Sequence, residues 1–248
     1  MSANRFFVST SDLEGDRVRL SREQAHQVHQ VLRLKPGDTV VVLDGQGMEY
    51  EVRLTAVGKS EAVGQITASR KTTGEPAAEL TLFQSLLVRE KFEWVLQKGT
   101  EIGVAEFVPI LTSRGLVRTK EIYEGKLDRW SRIVTEAAEQ SHRGRVPKIE
   151  PIIPFADVFS RFVGFDRFLI AAPSQSATLH EVLRGIGHPD PAIALLIGPE
   201  GGFTDEEVAL AREKGAIPVG LGPRILRTET AAVVASALIL YELGEMGS

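Results

Sequence analysis

The residues of this chain best placed to do chemistry collect in two glycine-containing stretches of its C-terminal third. The first, Gly198-Pro199-Glu200-Gly201-Gly202-Phe203, follows an apolar run ending at Ile197 and precedes Thr204-Asp205-Glu206-Glu207, a helix cap with an acidic first turn. Three glycines within five residues clear side chains from a place where a ligand or another backbone must come close. A tight turn uses glycine in the same way, but it has no need of the Glu200 carboxylate in its middle. The second stretch, Gly222-Pro223-Arg224-Ile225-Leu226-Arg227-Thr228-Glu229-Thr230, follows Ile217 to Leu221 and opens a helix of small residues, Ala231, Ala232, Ala235, Ser236 and Ala237. Thr228 reads as its cap and Glu229 as a first-turn acid, and the free backbone N–H groups at such a start also bind ligand oxygens. A third loop, Ala171-Ala172-Pro173-Ser174-Gln175, follows the apolar run from Phe168.

Several chemistries drop out. Pro223, and Ile225 in place of a third small residue, spoil the dinucleotide fingerprint, and no P-loop sequence is present. With no cysteine, thiolate catalysis, disulfides, Cys-ligated zinc and iron–sulfur clusters are excluded. His26 and His29 share a helical spacing without an acidic partner at metal-ligand spacing, so no metal site is expected. No zinc-protease or serine-hydrolase motif is found.

The elements that must position these loops fall into two patterns. Residues 1–72 read as short strands, Phe6–Val8, Arg17–Leu20, Thr39–Leu43, Glu49–Val57 and Ala62–Ser69, with Asp44-Gly45 as a type I′ hairpin signal. One helix interrupts them, with Ser21 and Gln24 forming a capping box. This predicts a small β-barrel with an inserted helix. After the polar stretch Lys71 to Pro76, apolar runs at Leu80–Leu86, Glu106–Leu111, Lys148–Ile153, Phe168–Ala172, Ile193–Ile197 and Ile217–Leu221 alternate with helical segments. The latter cover Lys91–Ile102, Lys120–Gln140, Asp205–Lys214 and Glu229–Leu243. Residues 73–248 are therefore expected to form an α/β domain with a mostly parallel sheet, whose ligands bind at the carboxyl ends of strands.

The 248 residues carry 29 Lys and Arg against 33 Asp and Glu, a net charge of −4 that hides an asymmetry. Residues 112–148 hold nine basic against five acidic side chains, and residues 149–248 hold seven against thirteen, so the middle is suited either to a solvated face or to a polyanion. The N-terminus shows no signal-peptide pattern and no window is apolar enough to span a membrane, which points to a cytoplasmic protein.

Six runs taken together resemble the RsmE family, the ribosomal RNA small subunit methyltransferases E of the SPOUT superfamily. They are Arg5-Phe6-Phe7, His29-Gln30-Val31-Leu32-Arg33, Gln97-Lys98-Gly99-Thr100-Glu101-Ile102-Gly103, Glu136-Ala137-Ala138-Glu139-Gln140-Ser141, Ile197 to Phe203, and Leu221 to Ala232. The resemblance covers nearly the whole chain in order. It implies an S-adenosylmethionine-dependent enzyme that methylates N3 of one uridine in 16S ribosomal RNA, free or in the small ribosomal subunit. It implies a PUA-like RNA-binding barrel in residues 1–72, and a SPOUT domain with a trefoil knot in residues 73–248 that acts as a homodimer. The implied cofactor loops are Ala172-Pro173, Ile197-Gly198-Pro199-Glu200-Gly201-Gly202, and Leu221, Gly222, Ile225 and Leu226, with Thr230 beside them.

Uracil N3 bears a proton and becomes a good nucleophile only when that proton leaves. Glu200 and Glu229 are the candidate bases or base-edge contacts, Arg227 a candidate for the developing anion or a phosphate, and Arg143 a candidate reaching substrate from a partner subunit. Arg5, Arg33, Lys98, Arg114 and Arg118 are candidate phosphate contacts. A non-catalytic RNA-binding assembly protein of the same fold, and a SPOUT enzyme acting at another RNA site, are the competing readings.

Overall fold

Period-two alternation and continuous apolar runs build two different sheets. The computed structural model describes residues 4–88, 90–117, 125–172 and 177–247, and the chain divides into two units. The first comprises residues up to Glu75 together with Ala138–Val146, and the second comprises Pro76–Ala137 and the chain from Pro147 onward.

In the first unit, strands β1 (Arg5–Phe7), β2 (Leu13–Glu14), β3 (Arg17–Leu20), β4 (Thr39–Leu43), β5 (Met48–Val57) and β6 (Ala62–Lys71) form one six-stranded sheet in the order β1-β4-β5-β6-β3-β2. Strand β1 runs parallel to β4 and the other pairs are antiparallel. Alternation places Val18, Leu20, Val40, Val42, Val52 and Leu54 in one apolar cluster and turns Arg17, Arg19 and Arg53 outward. Helix α1 (Arg22–His26) begins with the expected Ser21–Gln24 capping box, continues as a π-helical turn over Gln27–Val31, and adds Ala25 and Val28 to that cluster. The hairpin at Asp44 forms, but through a longer loop than a two-residue turn. Leu43 pairs with Glu49, Gly45 and Gly47 both have positive φ, and Asp44 Oδ1 accepts from the N–H groups of Gln46 and Met48. The Asp44 side chain thus organises the turn.

In the second unit, β7 (Glu79–Ser85), β8 (Glu106–Leu111), β10 (Ile153–Pro154), β11 (Arg167–Ala171), β12 (Ala192–Ile197) and β13 (Ile217–Val219) run in the order β10-β8-β7-β12-β11-β13, with β9 (Lys148–Ile149) beside β8. Every pair is parallel. The central strands are buried along nearly their whole length, as their unbroken apolar runs require. The strand expected over Lys148–Ile153 is two short pieces, because Pro151 between them has no N–H for a ladder. Helices α2 (Lys91–Ile102), α3 (Leu127–Gln140), α4 (Leu179–Leu183), α5 (Asp205–Glu213) and α6 (Thr228–Glu242) complete the unit, although the last residues of α3 group with the first unit. Residues 118–124, where the helix expected from Lys120 would start, lie outside the described residues. Helix α6 turns Thr228, Ala232, Ala235, Ser236, Ile239 and Leu240 inward, one stripe at helical spacing, and packs on α2, β7 and β12. Among the described residues, no helix is long and apolar enough to cross a membrane.

Candidate active site at the carboxyl edge of the parallel sheet

Parallel strands put all their carboxyl ends on one edge. Since β13, β11 and β12 are neighbours in the sheet, the three loops singled out in the sequence leave from adjacent strands. Ala172 is buried and its N–H donates to Val219 O at 3.1 Å, which joins the end of β11 to the end of β13. Pro173 lies outside the described residues.

The loop after β12 is tight. A Cβ on Gly198 would lie 3.1 Å from Phe203 N, and one on Gly201 would lie 3.2 Å from Arg114 Cβ. Gly202 has φ +67°, which suits glycine. Ile197, Gly198 and Pro199 are buried while Gly201 and Gly202 are exposed. Downstream, Thr204 caps α5 in a capping box with Glu207, whose other oxygen accepts from Ser113 N at 2.8 Å. Arg114 Nη1 donates to Gly201 O at 3.3 Å and Phe203 O at 3.1 Å. The guanidinium expected to meet RNA phosphate thus holds the glycine-rich loop.

The loop after β13 is more open. Gly222 has φ +94°, Ile225 is 97% exposed, Leu221 and Leu226 are half-buried, and Arg227 is exposed. Arg227, not Thr228, occupies the N-cap position of α6 and makes no side-chain cap bond. Thr228 is instead buried, because its hydroxyl donates to Gly198 O at 2.5 Å and receives Gln84 Nε2 at 3.4 Å. Gln84 also donates to Ser85 O, and Ser85 Oγ lies 2.7 Å from Thr112 Oγ1. One buried polar chain therefore links the ends of β7, β8 and β12 to the start of α6.

Glu200 and Glu229 come together through a residue the sequence does not mark. Lys91, the first residue of α2, places its Nζ 3.1 Å from Glu200 Oε1 and 3.7 Å from Glu229 Oε2. Thr230 stands half-buried beside Glu229. Two acceptors near this edge are buried without a hydrogen bond, Glu229 Oε2 and Gln84 Oε1. Buried acceptors without partners are uncommon in a folded protein. Lys91 and Gln84 escaped notice because the loop after β7 has no glycine, although it shares the same edge.

The other sequence candidates have surroundings of their own. Arg143 belongs to the first unit, is 3% exposed, and pairs with Glu75 through Nε and Nη2 at 3.2 and 2.8 Å. Arg5 is buried against Glu49, which also pairs with Arg70, and these cations hold the Glu49 carboxyl below its usual range although burial opposes them. Arg33 is exposed with φ +55°, Lys98 pairs with Glu101 at 2.7 Å, and Arg118 lies outside the described residues. Among the described residues no group of His, Asp and Glu could hold a metal ion.

Comparison with known proteins agrees with this architecture. Residues 74–240 match the family described as RNA methyltransferase domain, and residues 20–67 match the RNA methyltransferase PUA domain. The chain is 36% identical over 239 residues to the ribosomal RNA small subunit methyltransferase E of Synechocystis sp., covering 96% of this chain and 77% of that protein. It is 30% identical over 233 residues to the protein of that name from Bacillus subtilis, covering 90% and 89%. The crystal structure of a ribosomal RNA small subunit methyltransferase E from Neisseria gonorrhoeae bound to S-adenosyl methionine superposes with a TM-score of 0.87 at 33% identity, over 97% of this chain and 98% of that one. With its two matched domains in order and relatives aligned over nearly its full length, the chain belongs to the ribosomal RNA small subunit methyltransferase E family.

Proposed function

We propose that this protein uses S-adenosylmethionine to methylate N3 of a uridine in 16S ribosomal RNA, acting in the cytoplasm as a homodimer. The observation that carries the reading is the adjacency of three loops at one sheet edge, two of them glycine-bearing and opening beside two carboxylates. The residues fit the cofactor. Backbone groups of Ile197, Gly198, Leu221, Gly222 and Leu226, with Ala172, offer uncharged hydrogen bonding and close approach, which suits an adenosine that carries no phosphate. A Cβ at Gly198 would press on Phe203 N at 3.1 Å, so that a side chain there would shift the loop.

The cofactor, when bound, supplies a methyl group on a sulfonium. The chain's part is to hold the acceptor nitrogen in line, exclude water and take the N3 proton. Glu229 or Glu200 serves as the base, while exposed Arg227 meets the developing uracil anion or a neighbouring phosphate. Arg33 and the PUA-like unit contribute RNA contacts. A threaded SPOUT knot and a partner seated near exposed Leu238 and Tyr241 of α6 complete the reading. Arg143, engaged with Glu75, serves it by fixing residues 138–146.

Isothermal titration with S-adenosylmethionine, followed by nucleoside mass spectrometry of 16S ribosomal RNA treated with enzyme, tests the proposal. Binding is expected for the parent and loss of binding for Gly198→Val, with a base-methylated uridine as product. A 2′-O-methylated nucleotide would reassign the target, and absence of binding would leave an RNA-binding protein of this family.

A further inference from the structure

Lys91 faces two carboxylates at once, and they are not equivalent. Glu200 Oε1 lies at hydrogen-bonding distance from its ammonium, whereas Glu229 Oε2 lies at 3.7 Å and has no hydrogen bond. The three side chains come from three elements, namely the start of α2, the glycine-rich loop after β12 and the first turn of α6. The Glu229 side chain is 15% exposed and the Glu200 side chain 25%, so solvent shields their mutual repulsion only in part. Without the ammonium, two negative groups would sit near each other on loops that are otherwise joined through the Thr228 to Gly198 hydrogen bond.

We infer that Lys91 is a positioning residue for methyl transfer, one that neutralises and fixes Glu200 while leaving the hidden oxygen of Glu229 as the acceptor for the N–H of the target base. This rests on the methyltransferase reading above and settles which of the two carboxylates is the base. The N3–H bond breaks with its proton passing to Glu229 and its electron pair remaining on N3. That pair forms the new N–CH3 bond as the carbon–sulfur bond breaks, its electrons going to sulfur to leave a neutral thioether. Glu200 takes no proton. Its charge is held by Lys91, so the glycine-rich loop stays closed on α6 throughout.

The test compares Lys91→Met, Lys91→Gln and Lys91→Arg with the double variants Lys91→Met/Glu200→Gln and Lys91→Met/Glu229→Gln. Steady-state methylation of 16S ribosomal RNA, amide hydrogen exchange across residues 200–203, and thermal unfolding are measured on each. Loss of the ammonium is expected to lower kcat about tenfold and to speed amide exchange in the loop, with KM for RNA within about twofold, as for a coupled charge group. Lys91→Arg retains both properties. Removing the Glu200 charge in the Lys91→Met background recovers most of kcat and the slow exchange, whereas removing the Glu229 charge recovers the exchange but not the rate.

A raised KM with unchanged kcat would make Lys91 a phosphate contact and overturn the inference. Equal rescue by either double variant, or by neither, would also overturn it, as would a collapse of thermal stability in both Lys91→Met and Lys91→Gln. If the parent enzyme transfers no methyl group, the reading beneath fails. The exchange measurements still decide whether Lys91 clamps Glu200.

Discussion

The two edges of the parallel sheet differ in how far their buried acceptors are satisfied. At the amino edge, Glu150 pairs with both Lys148 and Arg161, Glu106 accepts from Thr81, and Asp166 accepts from the Ala192 N–H and from His188. At the carboxyl edge, Gln84 Oε1 and Glu229 Oε2 are buried with no hydrogen bond, although Lys91 faces two glutamates there much as Lys148 faces Glu150 and Glu106 at the amino edge. One edge is electrostatically closed and the other is left open. A polar group that folding leaves unsatisfied weakens the fold unless a ligand uses it, and on that ground the open edge is the one proposed to bind.

The sharpest way to break that comparison is at Glu229. On the proposal that its hidden oxygen takes the proton, Glu229→Gln keeps the shape and loses the base, so methyl transfer is expected to fall about 10²-fold or more. Thermal unfolding should move little and S-adenosylmethionine affinity should persist. Single-turnover assays with calorimetry decide the matter. A variant of near-normal rate would hand the role to Glu200 and remove the meaning given to the open edge.

Glu150→Gln is the mirror experiment. Lys148 leads the groups that hold the Glu150 carboxyl below its usual value, followed by Arg161, while burial of Glu106 and the nearby Glu150 charge push Glu106 the other way. Because the Glu150 side chain is 9% exposed, losing its charge-assisted bonds is expected to cost about 1–3 kcal/mol. Methyl transfer measured well below the unfolding temperature should be unchanged. The group's folded value is depressed, so its contribution is present above the ordinary value of 4.5 and is lost as pH falls through the folded one. Urea titrations of parent and variant from acidic to neutral pH check both size and sign, and a gap that widens on acidification would contradict the assignment.

At Gln84 the comparison can be sharpened. Replacing it by leucine removes an orphan acceptor together with the donor to Thr228 and Ser85. Stability is expected to stay within about 1 kcal/mol, because a poorly satisfied buried amide gives way to an apolar group of similar size. If Gly198 lies in the cofactor site as proposed, cofactor affinity should weaken by about threefold to tenfold, one hydrogen bond's worth, because Thr228 holds Gly198. A large loss of stability with unchanged affinity would place Gln84 among the purely structural groups.

Much of this contrast was legible in the sequence where local rules dominate. Alternation marked β3 through β6, unbroken apolar runs marked β7, β8 and β12, and the capping box at Ser21 and the helix cap at Thr204 formed as expected. The loops after β12 and β13 stood out because glycines and helix starts follow strands, whereas the loop after β11, without a glycine, was a weak signal by itself. What escaped has a common cause in partners distant along the chain. Lys91 meets Glu200 across 109 residues and Gln84 meets Thr228 across 144, and neither carries a local signature. Arg5 and Arg114 looked like surface cations for the same reason, since Glu49 and the carbonyls of Gly201 and Phe203 are remote in sequence. Thr228 has the composition of a cap, yet a carbonyl on a neighbouring strand end claims its hydroxyl.

The smallest expected effect tests whether the closed edge is held by charge at all. His188 Nε2 lies 3.0 Å from Asp166 Oδ1 and Nδ1 lies 3.4 Å from Asp190 Oδ1, so both ring nitrogens face acids and the protonated ring is favoured. Asp166 leads in holding the imidazole above its ordinary value. Asp166 itself is held below its own, first by the Ala192 N–H and then by His188. A histidine with a raised folded value contributes stability that is complete below the unfolded value of 6.5 and is lost as pH rises through the folded one. The advantage of the parent over His188→Gln in thermal unfolding should therefore be greatest at about pH 5.5 and fade toward about pH 8, with methyl transfer indifferent throughout. Because the ring is exposed, the difference will be small and salt will reduce it further. An advantage that is constant across this range would mean that Asp166 closes the β11–β12 corner through the Ala192 N–H alone, and that charge pairing at this corner is incidental to the closed edge.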